Sequence, residues 1–571
     1  MALHFKSCFH YLKPQTIGTK AQLSQNSDNV KFDFLPTANK WNILQENLST
    51  ACRNSDDLSN NQAGKLKVLK RVFTNIVNVN ECSPQGIYMI DAIQRLNIDY
   101  HFQEEIDAFL ERQYVISTTN WDAFGNDLHQ IALYFRLFRQ QGYYVPADVF
   151  DKFTNKEGKF NQNLGGNIKG MIDLYEASQL SVAGEDMLDE AAQFSGLVLK
   201  EKMACLDDHE AKFVRKTLEH PFHKSMAMFT AQDFFGDFHG MNGWLGSFKQ
   251  VAKLDFSLLQ RLHQQEIIQV SKWWTELGLA NELKLARNQP LKWYIWSLAC
   301  LTDPTLSEER IELTKPISFI YLIDDIFDVY GTLDELRLFT DVVSRWDITA
   351  SEQLPDNMKI CFKALYDLIN EISSKIYQKK GWDPTDSLRN AVKWKSLCKA
   401  FLVEAEWFAN GNMPSAEEYL KNGIVSSGVH IVLVHIFFLL GQGLTEENVH
   451  TIDGIPSILS SSATILRLWD DMGNAEDENQ EGNDGSYVSC LLREHQGLSL
   501  KEAREKVMRM VSDAWKSLNQ ECLFEGTFPT AFTKASLNLA RMVPLMYSYD
   551  DKRSLPKLEE QVQSLLFDNV L

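Results

Sequence analysis

The sequence predicts an all-α protein, and three observations support that fold class. The 571 residues include only 29 glycines and 15 prolines, fewer than a loop-rich all-β protein usually contains. Apolar residues recur at spacings of three and four, as in residues 87–98 and 187–205, which indicates amphipathic helices. Clear alternating strand patterns are absent from the sequence. Because 44% of the residues are hydrophobic, the chain can bury a large core.

Composition also limits the classes of function. A net charge of −19 disfavours binding to nucleic acids or anionic membranes, which requires a positive face. The nine cysteines are irregularly spaced, without a Cys-x-x-Cys pair, which indicates reduced thiols. We expect no membrane span, because the most apolar run, residues 431–440, is short and contains His435.

Residues 1–40 are predicted to be a polar leader that precedes the helical part of the chain. Its first 27 residues contain three lysines and no aspartate or glutamate, which fits a short plastid transit peptide. A disordered polar leader of a cytosolic protein fits about equally well, because arginine is absent, and we favour the plastid slightly. Three glycines within residues 238–256 suggest a domain boundary near residue 250. The predicted domains are residues 41–250 and 251–571.

The most informative segment begins at Pro316, which is well placed for a first helical turn. Residues 317–323 are almost entirely apolar, so we expect this helix to be buried. Asp324 and Asp328 share one helix face, and Asp325 lies about 100° around the axis. Buried carboxylates need compensation. Mg²⁺ provides it, usually through one or two carboxylates together with substrate phosphates.

A second oxygen-rich stripe consists of Asp470, Asn474 and Glu478, which recur every four residues. Arg467 lies one turn before Asp470, where it suits phosphate oxygens while the acids take a metal. An acidic run on a helix is usually a solvated face. That interpretation fits the first cluster poorly, because the two preceding turns are apolar. The presence of both clusters in one half of the chain favours a paired metal site.

Other catalytic motifs are absent from the sequence. It contains no His-Glu-x-x-His, no phosphate-binding Gly-x-x-x-x-Gly-Lys and no Gly-x-Ser-x-Gly. His220 and His223 bracket a Pro-Phe pair, so we expect them on a surface loop and not as a metal-binding helical pair.

DDIFD at residues 324–328 and DDMGNAEDE at 470–478 resemble the two metal motifs of the class I plant terpene synthases. The resemblance covers roughly residues 41–571 and includes ARNQPLKWYIW at 286–296. It implies two helical domains: an N-terminal helical barrel without retained catalysis and a C-terminal class I helical bundle. It further implies that the protein is a lyase and a monomer. The lyase would bind prenyl diphosphate with three Mg²⁺ ions, for which Mn²⁺ could substitute.

The resemblance also implies a role for each site residue. Asp324 and Asp328 would hold two metals with support from Asp325, and through the metals they would bind the diphosphate. The third metal would be held by Asp470, Asn474 and Glu478. Arg287 and Arg467 would contact the diphosphate, and Trp296 would lie on the cavity wall. Tyr547 and Tyr549 are further candidates to face an allylic cation with their rings.

Three departures from the family pattern bear on the product. There is no Arg-Arg pair near the N-terminus, and Gln289 stands where cyclising members carry the second arginine of Arg-x-Arg. Asn474 replaces the usual serine or threonine but still offers a carbonyl oxygen. The first two departures resemble the subfamily with acyclic products, best matched by linalool and (E)-nerolidol synthases. Acyclic hydrocarbons such as ocimene, myrcene or farnesene are the alternative.

Two other classes of function stay open. A prenyl chain-elongating transferase shares aspartate-rich metal sites, but normally on a shorter chain with two similar motifs. A non-enzymatic acidic helical scaffold could merely bind calcium. The sequence does not decide between geranyl and farnesyl diphosphate, because cavity depth depends on packing.

Overall fold

The computed structural model describes residues 55–79, 84–119, 121, 125–236, 244–284, 286–389, 392–474, 486–524, 526–549 and 555–568. These residues form a helical fold, which confirms the predicted class. The described residues contain no β-strand, only an isolated antiparallel bridge between Thr154 and Phe160. The predicted leader, residues 1–40, lies outside the described part of the chain.

The first set of helices surrounds a core built from residues between Leu69 and Ala252. The segments 87–98 and 187–205 are helical over most of their length, as the spacing of their apolar residues predicts. The helices are α1 (Ser55–Val79), α2 (Gln85–Arg95), α3 (Gln103–Thr119), α4 (Leu128–Gln140), α5 (Ile168–Ser178), α6 (Asp186–Lys202), α7 (Asp208–Glu219) and α8 (Ala227–Gly236). Short 3₁₀ turns cover Asp99–His101, Ala147–Phe153, Gln162–Gly166, Met203–Cys205 and Phe222–Lys224.

The second set of helices surrounds a larger core that extends to Leu566. Its helices are α9 (Trp244–Leu277), α10 (Leu279–Glu282), α11 (Pro290–Cys300), α12 (Ser307–Asp325), α13 (Leu333–Arg345), α14 (Asp356–Lys380), α15 (Thr385–Arg389), α16 (Val392–Ala409), α17 (Ala416–Ser426), α18 (Val429–Leu440), α19 (Glu446–Asp453), α20 (Ser457–Asn474), α21 (Tyr487–Glu494), α22 (Leu500–Cys522), α23 (Thr530–Met546) and α24 (Pro556–Leu566). Pro304–Leu306 and Ile348–Gln353 are 3₁₀ turns, and Ile326–Tyr330 is a π-helical turn.

Several of these helices begin where a polar side chain satisfies the free backbone N–H groups. Thr332, Ser415 and Ser499 each accept a hydrogen bond from the glutamate three residues later, whose side chain accepts one in return. Such reciprocal capping fixes the first residue of α13, α17 and α22.

Helix α9 belongs to both cores. Phe248 and Val251 pack in the first core, whereas Val270 and Trp274 pack in the second. The predicted boundary near residue 250 therefore falls within a continuous helix, because the glycines that suggested it precede or occupy its first turn. The division into 41–250 and 251–571 stays a prediction.

Helix α12 differs from the prediction at its start. It begins at Ser307, and Pro316 lies inside it. Proline at that position has no N–H for the carbonyl of Glu312, so the helix loses one backbone hydrogen bond there. The prediction that Pro316 occupies the first turn is wrong. The burial predicted for residues 317–323 is confirmed, since every one of them is buried.

Residues 416–440 bear on the expectation that no segment spans a membrane. By length and apolarity alone, this stretch of the described chain could cross a membrane. In the structure Gly428, with φ 72°, separates α17 from α18, and most of the stretch is buried among other helices. A buried core helix passes the same test of length and composition, so the stretch is weak evidence for a membrane span.

Candidate active site

The first acidic cluster lies at the C-terminal end of α12. Asp324 and Asp325 are the last buried residues of the helix, with 0% and 3% of their surface exposed. Asp328 follows on the π-helical turn, a widened form that often occurs at functional sites. Among the described residues, Asp324 Oδ1 and Asp328 Oδ2 are buried without a hydrogen-bond partner. These two oxygens are therefore free to bind a ligand.

Arg287, on the segment before α11, contacts this cluster directly. Its guanidinium pairs with Asp324, and its Nε lies 2.7 Å from Asp325 Oδ1. Its backbone N–H donates to Asp325 Oδ2 at 2.7 Å, so Asp325 contacts both the backbone and the side chain of Arg287. The guanidinium also lies 5.0 Å from the centroid of the Tyr321 ring. The structure thus brings Arg287 to the aspartates, and its predicted contact with a diphosphate stays a prediction.

Burial controls the electrostatics of the three aspartates. It raises the pKa of Asp325 to about 6, despite the opposing charge of Arg287. Burial and the neighbouring Asp324 carboxylate raise the pKa of Asp328 well above its usual range. Like charges held close together in a buried site oppose ionisation. A bound cation would lower these pKa values again, because it favours the charged form of each carboxylate.

The second cluster lies on α20. Arg467 and Asp470 are buried, with Arg467 Nη1 3.6 Å from Asp470 Oδ2, so they share a face as predicted. Arg467 Nη2 donates to Ser426 Oγ at 2.7 Å, and its Nε donates to the Gly423 carbonyl at 3.4 Å. A Cβ on Gly423 would lie 2.9 Å from Arg467 Nε, so only glycine leaves room for the arginine here.

Helix α20 ends at Asn474. The Asn474 side chain and Glu478 lie outside the part of the chain that the structure describes, so their predicted roles as ligands stay predictions.

Two acidic residues near Arg467, Asp471 and Glu404, were not predicted from the sequence. Asp471 accepts hydrogen bonds from Tyr419 Oη at 3.0 Å and from the Tyr487 N–H at 2.9 Å. Glu404 on α16 accepts from Ser426 Oγ at 2.7 Å, and its Oε2 is buried without a partner among the described residues. Asp471 could have been found, because it directly follows Asp470. Nothing in the local sequence marks Glu404, which tertiary packing brings to the site.

The aromatic candidates lie between the two clusters. Trp296 Nε1 donates to Tyr321 Oη at 3.0 Å, and the Trp296 and Tyr547 ring centroids are 6.4 Å apart. Tyr549 lies 6.4 Å from Tyr547. Close packing holds this segment against α20, since a Cβ on Gly473 would lie 2.5 Å from the Tyr547 carbonyl oxygen.

The two clusters are close enough for their charges to interact. The charge of Arg467 lowers the pKa of Asp324, although burial raises that pKa overall. The carboxylates of Asp470 and Asp324 both act on Tyr321, which lies between them. No group of three or more His, Cys, Asp or Glu residues in the described ranges could by itself hold a metal. A site of this kind suits Mg²⁺ that takes its remaining ligands from phosphate and water.

This combination of an all-helical fold and neighbouring acidic clusters agrees with the comparisons with known proteins. Residues 275–517 match the terpene synthase family metal-binding domain, and residues 40–220 match the terpene synthase N-terminal domain. The chain belongs to the terpene synthase family, and it is an enzyme.

Three similar proteins illustrate the relationship. An (E)-nerolidol synthase, TPS18VF, from Cannabis sativa is 55% identical, over 84% of this chain and 88% of its own. A chloroplastic S-(+)-linalool synthase from Arabidopsis thaliana is 49% identical, over 86% of each chain. The crystal structure of isoprene synthase from grey poplar leaves, with three Mg²⁺ ions and dimethylallyl-S-thiolodiphosphate, is 33% identical with a TM-score of 0.83. It matches 90% of this chain and 98% of its own.

Proposed function

We propose that the protein ionises geranyl and/or farnesyl diphosphate and releases an acyclic alcohol, linalool and/or (E)-nerolidol. The observation that carries this proposal is the pair of unpartnered buried oxygens, Asp324 Oδ1 and Asp328 Oδ2, opposite the buried guanidinium of Arg467. Acids and arginines that converge in a buried space suit a diphosphate bridged by cations. The nerolidol and linalool synthases among the similar proteins support the choice of product.

The donor set fits magnesium. Asp324 and Asp328 would hold two ions, and the third would be held by Asp470, Asn474 and Glu478. Their ligand atoms are hard oxygens, and two of them are buried and unsatisfied, which is costly unless a cation completes them. We propose three Mg²⁺ ions, with Mn²⁺ as a substitute of similar coordination preference. When bound, the ions would stabilise negative charge on the leaving diphosphate.

The arginines would bind and orient the diphosphate. Arg467 is fixed by Ser426 and the Gly423 carbonyl, and its Nη1 has no hydrogen bond to a described residue, so that atom can donate to a phosphate oxygen. Arg287 is held by Asp325 through both its backbone N–H and its Nε. Asp325 therefore acts as a positioning residue for Arg287, which would donate to the diphosphate.

The aromatic wall would stabilise the allylic cation that remains after ionisation. Ring faces stabilise a desolvated cation by about 2 kcal/mol, and Trp296 and Tyr547 lie between the two acidic clusters. To form the alcohol, water must reach the internal allylic carbon before the prenyl chain of the cation folds back on itself. We propose that Gln289, in place of a second arginine, loosens the closure of the segment before α11 over the active site and so admits that water. An unchanged ratio of alcohol to hydrocarbon in Gln289→Arg would contradict this step.

We propose that the enzyme acts as a monomer. We also propose that it acts in plastids, which the name of the chloroplastic linalool synthase from Arabidopsis supports. Import of the full-length chain fused to a fluorescent reporter would test the location. A cytosolic signal would contradict the proposal and would favour farnesyl diphosphate as the substrate.

The proposed function is tested by gas chromatography of products from geranyl and farnesyl diphosphate with Mg²⁺. We expect linalool or nerolidol, and no turnover when the metal is chelated. Mainly acyclic hydrocarbons, or cyclic products, would overturn the proposed product. A requirement for isopentenyl diphosphate would indicate a chain-elongating transferase, and binding of calcium without turnover would indicate a scaffold.

A further inference from the structure

Lys292 is a largely buried cation that pairs with no carboxylate of the described residues. It lies in the first turn of α11, and only 8% of its surface is exposed. Its side chain makes no hydrogen bond and no ion pair with any residue in the described ranges. A buried, unpaired ammonium group destabilises a protein unless a ligand compensates it.

The surroundings of Lys292 place its ammonium group beside the candidate active site. Its Nζ is 6.0 Å from the centroid of the Tyr549 ring. Tyr549 in turn packs on α20, where its Cδ2 lies 3.4 Å from the Cβ position of Gly473. The charged groups that act on Lys292 are Arg287, which opposes its charge, and Asp470, which favours it. Lys292 therefore extends from α11 toward the space between the two acidic helices.

The backbone around Lys292 is also electropositive. The N-terminal end of an α-helix carries free N–H groups and a partial positive charge, so a lysine there is disfavoured. No side chain caps α11, since Gln289 makes no capping hydrogen bond. Gln289 Oε1 is itself buried without a partner among the described residues. Two penalties thus meet at Lys292, its burial and the positive helix end, and an anion would relieve both.

We propose that Lys292 and the first turn of α11 form a cationic subsite that binds the diphosphate of the substrate. The subsite would supply a third cationic side chain beside Arg287 and Arg467. The inference rests on the proposed function, because it assumes that the anion bound between the acidic helices is a diphosphate. Lys292 would raise affinity for the anion at the expense of folding stability.

Binding of inorganic pyrophosphate in the presence of Mg²⁺, measured by isothermal titration calorimetry, tests the subsite without any turnover. Lys292→Met keeps the length of the side chain but removes the charge, and we expect about tenfold weaker binding or more. Lys292→Arg keeps the charge and should stay within about threefold of the parent affinity. The melting temperature of Lys292→Met should be no lower than that of the parent chain, because the variant loses a buried unpaired charge.

Lys224→Met is a matched control. Lys224 Nζ lies 5.5 Å from the centroid of the Trp515 ring, a contact like that of Lys292 with Tyr549. Burial lowers the pKa of each lysine to about 8. Lys224 lies on the 3₁₀ turn Phe222–Lys224, away from both acidic clusters, so its removal should leave pyrophosphate affinity unchanged.

Two results would overturn the subsite: parent-like pyrophosphate affinity in Lys292→Met, or an equal loss in Lys224→Met. Lys292→Gln, a second neutral variant, gives the same answer if the methionine variant does not fold. Turnover separates the two proposals. If the parent chain makes terpene alcohol and Lys292→Met keeps its affinity, only the subsite fails. If pyrophosphate binding depends on Lys292 but no prenyl diphosphate is converted, the proposed function fails.

Discussion

The protein buries two clusters of charge, and they differ in how completely their carboxylates are paired. The N-terminal cluster joins Arg95 and Arg136 to acids on neighbouring helices. Arg136 pairs with Asp91 and donates to Gln140 at 3.0 Å, and Arg95 Nε donates to Asp91 at 2.9 Å. Glu176 accepts a hydrogen bond from the Phe222 N–H at 2.8 Å. Each carboxylate of this cluster has a protein partner.

The cluster at α12 and α20 is built from the same residue types but is left incomplete. Asp324, Asp328, Glu404 and Arg467 each keep a buried polar atom without a hydrogen bond to a described residue. A satisfied polar network makes the fold rigid, whereas a partly satisfied one costs stability. The difference teaches that burial of charge alone does not identify a functional site. Unpartnered carboxylate oxygens do, because a cation must complete them. An unpartnered arginine nitrogen does not, since Arg136 Nε of the N-terminal cluster is also buried without a partner among the described residues.

The sharpest test of this contrast is Asp324→Asn. The change keeps the shape of the side chain but removes a proposed metal ligand. We expect turnover to fall by about a thousandfold or more. The melting temperature should stay near the parent value, because Asp328 loses a repelling neighbour while Arg287 loses one partner but keeps its contacts with Asp325. Product assays and thermal unfolding measure the two effects. A variant with a lowered melting temperature and parent-like turnover per folded molecule would break the contrast.

The same substitution in the N-terminal cluster should do the opposite. In Asp91→Asn two arginines lose a charged partner, and Asp91 is 22% exposed, so we expect a loss of about 2 kcal/mol in the free energy of unfolding. Turnover per folded molecule should stay at the parent level. Chemical denaturation and active-site titration give both quantities, and a large loss of turnover with intact stability would contradict a structural role.

Gly423→Ala tests the role of Arg467 without removing its charge. The new Cβ would lie 2.9 Å from Arg467 Nε, so the guanidinium must shift. We expect KM for the prenyl diphosphate to rise about tenfold, since a displaced charge-assisted hydrogen bond costs roughly that much. Gly196→Ala, whose Cβ would meet only ordinary contacts at 3.5 Å, is the control. Equal KM values in the two variants would count against Arg467.

The smallest expected effect is a pH dependence of the N-terminal cluster. Burial opposes the charge of His129, but the hydrogen bond to Asp173 and the nearby charges of Asp173, Asp127 and Asp91 together outweigh burial and raise the pKa of the imidazole. The folded state therefore binds the proton more tightly, and this stabilisation is full below about pH 6.5 and lost as pH rises through the raised pKa. The free energy of unfolding of the parent chain should therefore decline between pH 6 and 8. In His129→Gln this decline should be smaller by about 1 kcal/mol or less. Parallel pH profiles for parent and variant would refute the assignment.

Much of this organisation could be predicted from local sequence. The apolar residues 317–323 predict the burial of α12, and the spacing of Arg467 and Asp470 predicts that they share a face. The resemblance to a family placed Arg287 at the diphosphate site, and the structure pairs it with Asp324, a contact that the sequence did not predict.

Other features depend on contacts between distant residues, which local patterns do not contain. His223, expected on a surface loop, is fully buried and lies 2.8 Å from Asn519. Glu404 and Lys292 carry no motif, and only packing brings them to the acidic helices. Pro316 misled the prediction because proline is read as a helix start, whereas here it lies inside a helix whose apolar faces are held by tertiary packing.

The central claim is that α12 and α20 share one metal–diphosphate cluster. Crystals grown with Mn²⁺ and pyrophosphate, analysed by anomalous scattering, test it most directly. We expect manganese peaks at about 2.0–2.3 Å from oxygens of Asp324, Asp328 and Asp470, all bridged by one pyrophosphate. Manganese bound to only one of the two helices, or pyrophosphate bound elsewhere on the protein, would contradict the claim.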